Sequence, residues 1–272
     1  SLNAQAASLM TSNPLLANAL KNEATTLALL KEFDPPSRNY DSVALRVEQR
    51  PTKQSLLIAS YTYSVEKGNY PGLFSTETNQ LDPNITSLYD LPDLMANRYG
   101  PLGLDRPHNV KLDGFYRFDL KEAGLVTAGA SVRGQSGIAH NALGAHPTYG
   151  DGEAYLLPRG SIGRSPFSSE FDVHISYGRR LNKSTIVEAF ADIFNLFNQQ
   201  DELNVDENYT FDTTVPVVGG DKNDLAHVKS HNGGGLGAGI QLPTTVSPNK
   251  NFDNTNALTA PRAFRFGVRL TF

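Results

Sequence analysis

Cysteine is absent from all 272 residues, which excludes a disulfide framework, a thiol nucleophile and a thiolate metal site. Long apolar runs are missing as well. Hydrophobic residues make up only 39% of the chain, and no stretch approaches the roughly 18 consecutive apolar residues of a membrane helix. Helical spans are thereby excluded, but crossing strands are not, because such a strand gives lipid only every second residue. Neither sign of charge dominates. The 24 basic and 28 acidic residues leave a formal net charge of −4, so no extended basic surface for nucleic acid is implied. The first residues, Ser1-Leu2-Asn3-Ala4-Gln5, have neither a basic segment nor a following apolar core. No signal peptide is expected here, and if the protein is exported its export signal has been lost or lies upstream.

What the chain does contain is alternation. From Arg262 to Phe272, one register holds Phe264, Phe266, Val268, Leu270 and Phe272, and the other holds Arg265, Gly267, Arg269 and Thr271. A period of two places these sets on opposite faces of a strand. The same rule recurs around Val43–Val47, Leu57–Val65, Val110–Leu120, Val126–Val132, Phe171–Tyr177 and Val187–Ile193, and every charge falls in the second register. Alternation alone suits a soluble sandwich as well as a membrane barrel. Connection lengths separate them. Pro51–Gln54, Lys121–Ala123 and Leu181–Lys183 are tight, whereas about 40, 30 and 60 residues link the other neighbours, against a usual hairpin loop of about 2–5. Strict alternation of short and long links is the pattern of short periplasmic turns and long extracellular loops. The fold class expected is all-β, an antiparallel transmembrane β-barrel with long extracellular loops.

About seven membrane strands are counted, whereas single-chain bacterial barrels use an even number. A partial sheet would leave an unpaired edge in lipid, so the chain reads as the C-terminal portion of a larger barrel. Two regions are expected: 1–39, an extracellular loop segment with a helix, and 40–272, the C-terminal barrel strands. In the first, Asn13-Pro14 reads as an N-cap and first helical position, with Leu15, Leu16, Leu20, Leu27, Leu29 and Leu30 following before Pro35-Pro36. The alternation of Leu203, Val205, Tyr209 and Phe211 suggests a strand projecting above the membrane.

The final strand, closing on Phe272 as Phe264, Phe266, Val268, Leu270, Phe272, resembles the terminal strand of outer-membrane barrels. Membership of that class implies that the barrel-assembly machinery reads this strand. The loop elements narrow the resemblance. Asn69-Tyr70-Pro71-Gly72-Leu73-Phe74, Ala96-Asn97-Arg98-Tyr99-Gly100-Pro101, Leu157-Pro158-Arg159-Gly160 and Asn195-Leu196-Phe197-Asn198 resemble Oar-like TonB-dependent outer-membrane proteins, over roughly Asn39 to Phe272. That resemblance implies a 22-stranded barrel filled by a plug in the outer membrane of a Gram-negative bacterium. It also implies outer-membrane lipid and the TonB system as partners, the latter acting through a plug that this stretch does not contain, and a transported ligand of unknown identity.

Candidate site residues follow from the registers and the loops. Lys111, Asp113, Arg117, Asp119, Arg133, Asp172, Glu188, Asp192, Arg265 and Arg269 fall in the lumen register and are mixed in sign, as expected of groups that bond to a plug and to one another. Arg159 and Arg164 bracket two glycines and read either as outer anion contacts or as loop-pinning arginines. His140 and His146 flank a loop tip and are candidate ligand contacts. His227-x-x-x-His231 has a spacing that could hold a metal but lacks further ligands, so no metal site or cofactor is assigned. The glycine run 233–239 lacks the strand, helix and distal acid of a dinucleotide loop. The leading function is ligand uptake through a plugged, TonB-energised receptor barrel, with no catalytic residue. The alternatives are a structural or adhesion barrel without transport and an outer-membrane barrel enzyme, whose sign would be a Ser and His brought together near the outer rim.

Overall fold

A computed structural model describes residues 2–29, 34–75, 77, 87–182, 184–230 and 244–272. Seven long strands form its frame: β1 (Arg38–Gln49), β2 (Ser55–Gly68), β3 (His108–Asp119), β4 (Leu125–Gln135), β5 (Ser168–Arg180), β6 (Ile186–Phe194) and β7 (Ala263–Thr271). Each pairs antiparallel with the next, in the order of the sequence. The sheet is an open meander whose outer edges belong to β1 and β7. Tight turns join β1 to β2, β3 to β4 and β5 to β6, and the long links leave from the other end. They are called here link 1 (69–107), link 2 (136–167) and link 3 (195–262).

The pairing register keeps each face pure across all seven strands. Leu45 lies opposite Tyr61, Tyr61 opposite Val110, Leu112 opposite Val132, Val132 opposite Phe171, and Val173 opposite both Ala130 and Ile193. Val187, Ala189, Ala191 and Ile193 then meet Leu270, Val268, Phe266 and Phe264. The apolar sets expected from the sequence form one surface, and it is bare: Phe266 is 76% and Val268 74% exposed. The strands run past their expected limits, and charge enters the apolar register only there, at Asp41, Lys67 and Arg179. Phe272 lies just past the end of β7 and is exposed.

Burial is found among the links instead. Ala142, Leu156, Leu157 and Ile162 of link 2 pack with Leu225, Val228 and Val246 of link 3, and Tyr209, Val217 and Phe252 close around them. A small sheet joins the same two links: Leu143–His146 pairs with Gly150–Tyr155 and, in parallel, with Asn208–Val215, which also carries Lys229–Ser230. Glu202–Val205 pairs with Thr255–Leu258 in a separate ladder. The projecting strand expected around Leu203–Phe211 is therefore two strands in two small sheets. Three links of irregular composition thus build a compact cap on one end of the meander. The segment Lys222–His227 forms a 3-10 helix with a capping box made by Asp221 and Asp224. His231 and the glycine run lie outside the described residues.

The N-terminal segment holds two helices, Leu2–Leu9 and Pro14–Leu29. The second begins as expected, with Asn13 Oδ1 accepting the Leu16 N–H at 3.2 Å and Pro14 in the first turn. Leu2–Leu9 has no counterpart in the sequence reading. Leu30 lies outside the described residues.

The two faces make opposite demands on a new charge. Val173→Arg places a guanidinium on the apolar face, and at mid-bilayer such a residue costs roughly 2–4 kcal/mol. Ser131→Arg places it on the polar face, opposite Asp113 and Asp172. Folding of the full-length protein into liposomes is expected to suffer from the first change and to tolerate the second. Equal losses would overturn the assignment of faces.

Candidate functional site

The polar face of the meander is organised in rows that run across the strands. Lys111, Arg133 and Glu170 share one row, with Arg133 paired to both neighbours along the backbone ladder. The next row towards the tight turns holds Asp113, Ser131 and Asp172. Beyond it, Phe115, Gly129, His174, Asp192 and Arg265 follow in sequence. The expected lumen residues Lys111, Asp113, Arg117, Asp119, Arg133, Asp172, Glu188, Asp192, Arg265 and Arg269 all occupy this one face. Several bond to each other. Arg133 donates to Asp113 Oδ1 at 2.7 Å, Arg265 Nε donates to Asp192 Oδ2 at 2.7 Å, and Arg269 reaches Glu188 at 3.4 Å. His174 Nδ1 lies 2.6 Å from the other Asp192 oxygen. These charges are paired across strands, Asp192–Arg265 and Glu188–Arg269 within a row and Arg133–Asp113 diagonally between neighbouring rows, as cross-strand geometry favours. Phe190 covers Gly267, where a Cβ would come within 2.3 Å of the ring.

Two hollows lie on this face. One, of about 400 Å³, is lined by Leu56, Ile58, Phe115, His174, Asp192 and Phe194 among others. The other, of about 470 Å³, sits where the sheet meets the cap. Its walls are Asn109, Lys111, Arg133, Gln135 and Glu170 from the sheet, with Asn195, Gln199 and Asp201 of link 3 above.

Asparagines hold the cap over that opening. Asn195 ends β6 with a φ of 50°, a left-handed conformation that Asn tolerates better than most residues. Its side-chain amide donates to the carbonyls of Gln199 (2.7 Å) and Ala260 (2.9 Å), and its backbone N–H donates to Asp172 Oδ1 at 2.9 Å. Asn198, also left-handed, accepts the Arg262 N–H at 2.9 Å. The Asn-Leu-Phe-Asn element is therefore a clasp joining both ends of link 3. Asn97 does similar work for link 1. Its amide donates to the carbonyls of Tyr155, Leu156 and Val217 at 3.0–3.2 Å, and its Oδ1 accepts the Gly219 N–H.

The four outer candidates belong to the cap, with Arg159, His140 and His146 buried in it and Arg164 exposed. Arg164 donates to the carbonyls of Asp105 and Gly137 and to Asp105 Oδ2, each at 2.6 Å. Arg159 is 3% exposed; it donates to the Arg98 carbonyl at 2.8 Å, bonds Glu77, and stacks on Tyr155 at 4.7 Å opposite Arg98 at 5.1 Å. His146 is buried, with Nε2 against Asp93 and Nδ1 accepting the Thr148 and Tyr149 N–H groups. Burial pushes the Tyr155 hydroxyl far up and the Arg98 guanidinium down. Glu207 belongs to the same buried region. It accepts from Asn141 N at 2.8 Å and from the Asn141 side chain, and burial pushes its carboxyl up to about 7. Nothing in its acidic, loop-like sequence context marks that burial beforehand.

His140 stands in an arrangement that touches the enzyme alternative. Its Nε2 is 2.7 Å from Ser165 Oγ and its Nδ1 3.1 Å from Asp253 Oδ1, the connectivity of a Ser-His-Asp triad. Acyl transfer also needs an accessible hydroxyl and converging oxyanion donors. Ser165 is only 5% exposed, and its own N–H is bonded to the Ile138 carbonyl at 3.0 Å. The trio ties link 2 to link 3, and no such donors converge on it among the described residues. Labelling with a fluorophosphonate probe is therefore expected to leave Ser165 unmodified; stoichiometric labelling, lost in Ser165→Ala, would reinstate a hydrolase.

The sequence is 40% identical over 248 residues, or 89% of this chain, to the TonB-dependent transporter Oar of Myxococcus xanthus. The match supports an Oar-like C-terminal barrel. It covers the C-terminal part of that relative and spans 23% of its length. No family model matches the chain, and no solved structure does. The described residues pair a two-faced meander with a cap built by all three long links.

The raised carboxyl of Glu207 makes cap stability depend on pH. Between the ordinary carboxylate range and about 7, the folded cap holds a proton that the unfolded chain has released. Stability is therefore lost as pH rises through that window, at about 1.4 kcal/mol per unit while the difference lasts. Hydrogen exchange at 139–146 and 203–215 is expected to quicken from pH 5.5 to 8 beyond its intrinsic trend, and Glu207→Gln is expected to flatten the excess. Protection that increases with pH would contradict this assignment.

Proposed function

We propose that this chain forms the C-terminal wall of a plugged outer-membrane receptor barrel that takes up a ligand at the expense of TonB action. The observation that carries the reading is the division of the meander into one bare apolar face and one charge-paired polar face with two hollows. A closed barrel turns the first to lipid and the second to a lumen. The Oar relative, named as a TonB-dependent transporter, supports the energy source. The remainder of the barrel and the plug belong to sequence outside this chain, and the edges of β1 and β7 are where further strands pair. In this reading the cap faces outwards, the helical segment before β1 lies with it, and the tight turns face the periplasm of a Gram-negative cell. The polar-face residues from Lys111 to Arg269 contact plug and solute. The register Phe264, Phe266, Val268, Leu270, Phe272 is the surface offered to the barrel-assembly machinery. The reading assigns no bond-breaking step and no catalytic group. A surface barrel without transport would share this fold, and energy dependence separates the two.

Because this stretch has no cysteine, single cysteines can be introduced into the full-length protein once any others are removed. Lys222→Cys is expected to react with an impermeant maleimide on intact cells, and Asn182→Cys only after the outer membrane is opened. Ser131→Cys, on the polar face, is expected to react faster when TonB is active than in its absence. Labelling of Asn182→Cys on intact cells would invert the topology. A Ser131→Cys rate indifferent to TonB would favour the barrel without transport.

A further inference from the structure

The hollow beneath the cap gathers several polar side chains that have no partner among the described residues. Other charges of the polar face are paired, Arg265 and His174 with Asp192 and Arg269 with Glu188, and Arg133, which also lines this hollow, is paired with Asp113. In this hollow, Lys111 and Glu170 make no side-chain hydrogen bond or ion pair among the described residues, and neither do the amides of Asn109 and Gln135. The amides share a row one step closer to the cap. A cation, an anion and two neutral amides thus face one space of about 470 Å³, within the range of small-ligand sites.

Resting on the uptake reading, we propose that this hollow binds a short peptide with free ends, its carboxylate on Lys111 and its ammonium on Glu170. Lys111 and Glu170 lie in one row on β3 and β5, with β4 between them. Two strand spacings separate them by roughly 10 Å, and an extended tripeptide spans about 10 Å. Peptide groups between the ends need both donors and acceptors, and the side-chain amides of Asn109 and Gln135 provide both. Other ligand chemistries fit less well. Among the described residues no aromatic ring lines the hollow, so a sugar face or a catechol finds nothing flat there to stack on. A phosphate or a multiply charged anion meets Glu170 and Asp201 as well as the two cations.

The test is calorimetric titration of the full-length protein in detergent with trialanine, N-acetyl-trialanine and trialanine amide. Trialanine is expected to bind, and blocking either end is expected to weaken binding about tenfold or more, the scale of one charge-assisted hydrogen bond. Lys111→Gln is expected to weaken trialanine while leaving the C-terminal amide unaffected, and Glu170→Gln to weaken trialanine while leaving the N-acetyl form unaffected. Both side chains are exposed, and heat-modifiable migration checks that the variants fold. Losses that ignore which end is blocked would overturn the proposal, as would absence of trialanine binding. If trialanine fails while Ser131→Cys still responds to TonB, the substrate class falls and the uptake reading stands. If that response is absent too, both fall.

Discussion

Every feature of this protein depends on one constraint, the need of each backbone N–H and C=O to find a partner where water is excluded. In hydrocarbon an unpaired group costs several kcal/mol, and a continuous antiparallel ladder is the strand solution. The seven-strand meander supplies that ladder in the order of the sequence, with no crossover and with tight turns at one end. Once the ladder is fixed, the period of two follows, and side chains have only two destinations. Residues of the apolar register can then be exposed in the meander and still be correct, since a transmembrane barrel turns that face to lipid.

That inversion moves the conventional hydrophobic core out of the sheet. Among the described residues, Leu94, Leu143, Leu156, Leu157 and Val228 are the large apolar side chains most completely buried, and all five belong to the links. The polar face is held differently, by ion pairs such as Arg265–Asp192 and Arg133–Asp113. The unused groups lie between these two zones. Pairing holds many charges of the lower rows and packing holds the cap, while among the described residues Lys111 and Glu170 make no side-chain bond where the two meet.

The meander was legible in the sequence because its two faces, one apolar and one polar, take different residues at each successive position. The period survives in Phe264 to Phe272 without any knowledge of partners, and the turns at Pro51–Gln54 and Lys121–Ala123 are short enough to fix antiparallel neighbours. The cap was not legible. Its core residues, such as Ala142, Ile162 and Leu225, come from distant positions with no common period, and the cap strands include two-residue pieces. Glu207 and Asp105 look like ordinary loop acids until the fold brings Asn141 and Arg164 to them. The motifs Asn195–Asn198 and Ala96–Pro101 were visible as patterns, but their work as clasps depends on left-handed Asn195, Asn198 and Asn97, which a pattern does not disclose.

The clasp at Asn97 bears on how such surfaces diversify. One side-chain amide of link 1 bonds carbonyls of link 2 and link 3 together, while the apolar cluster is shared by links 2 and 3. No link can change length or register near these contacts without disturbing the other two. Exposed loop tips are free to vary one by one, but the cap's interior must be inherited as a set. Grafting a single loop from another Oar-like barrel would break the arrangement, whereas exchanging all three would carry it intact.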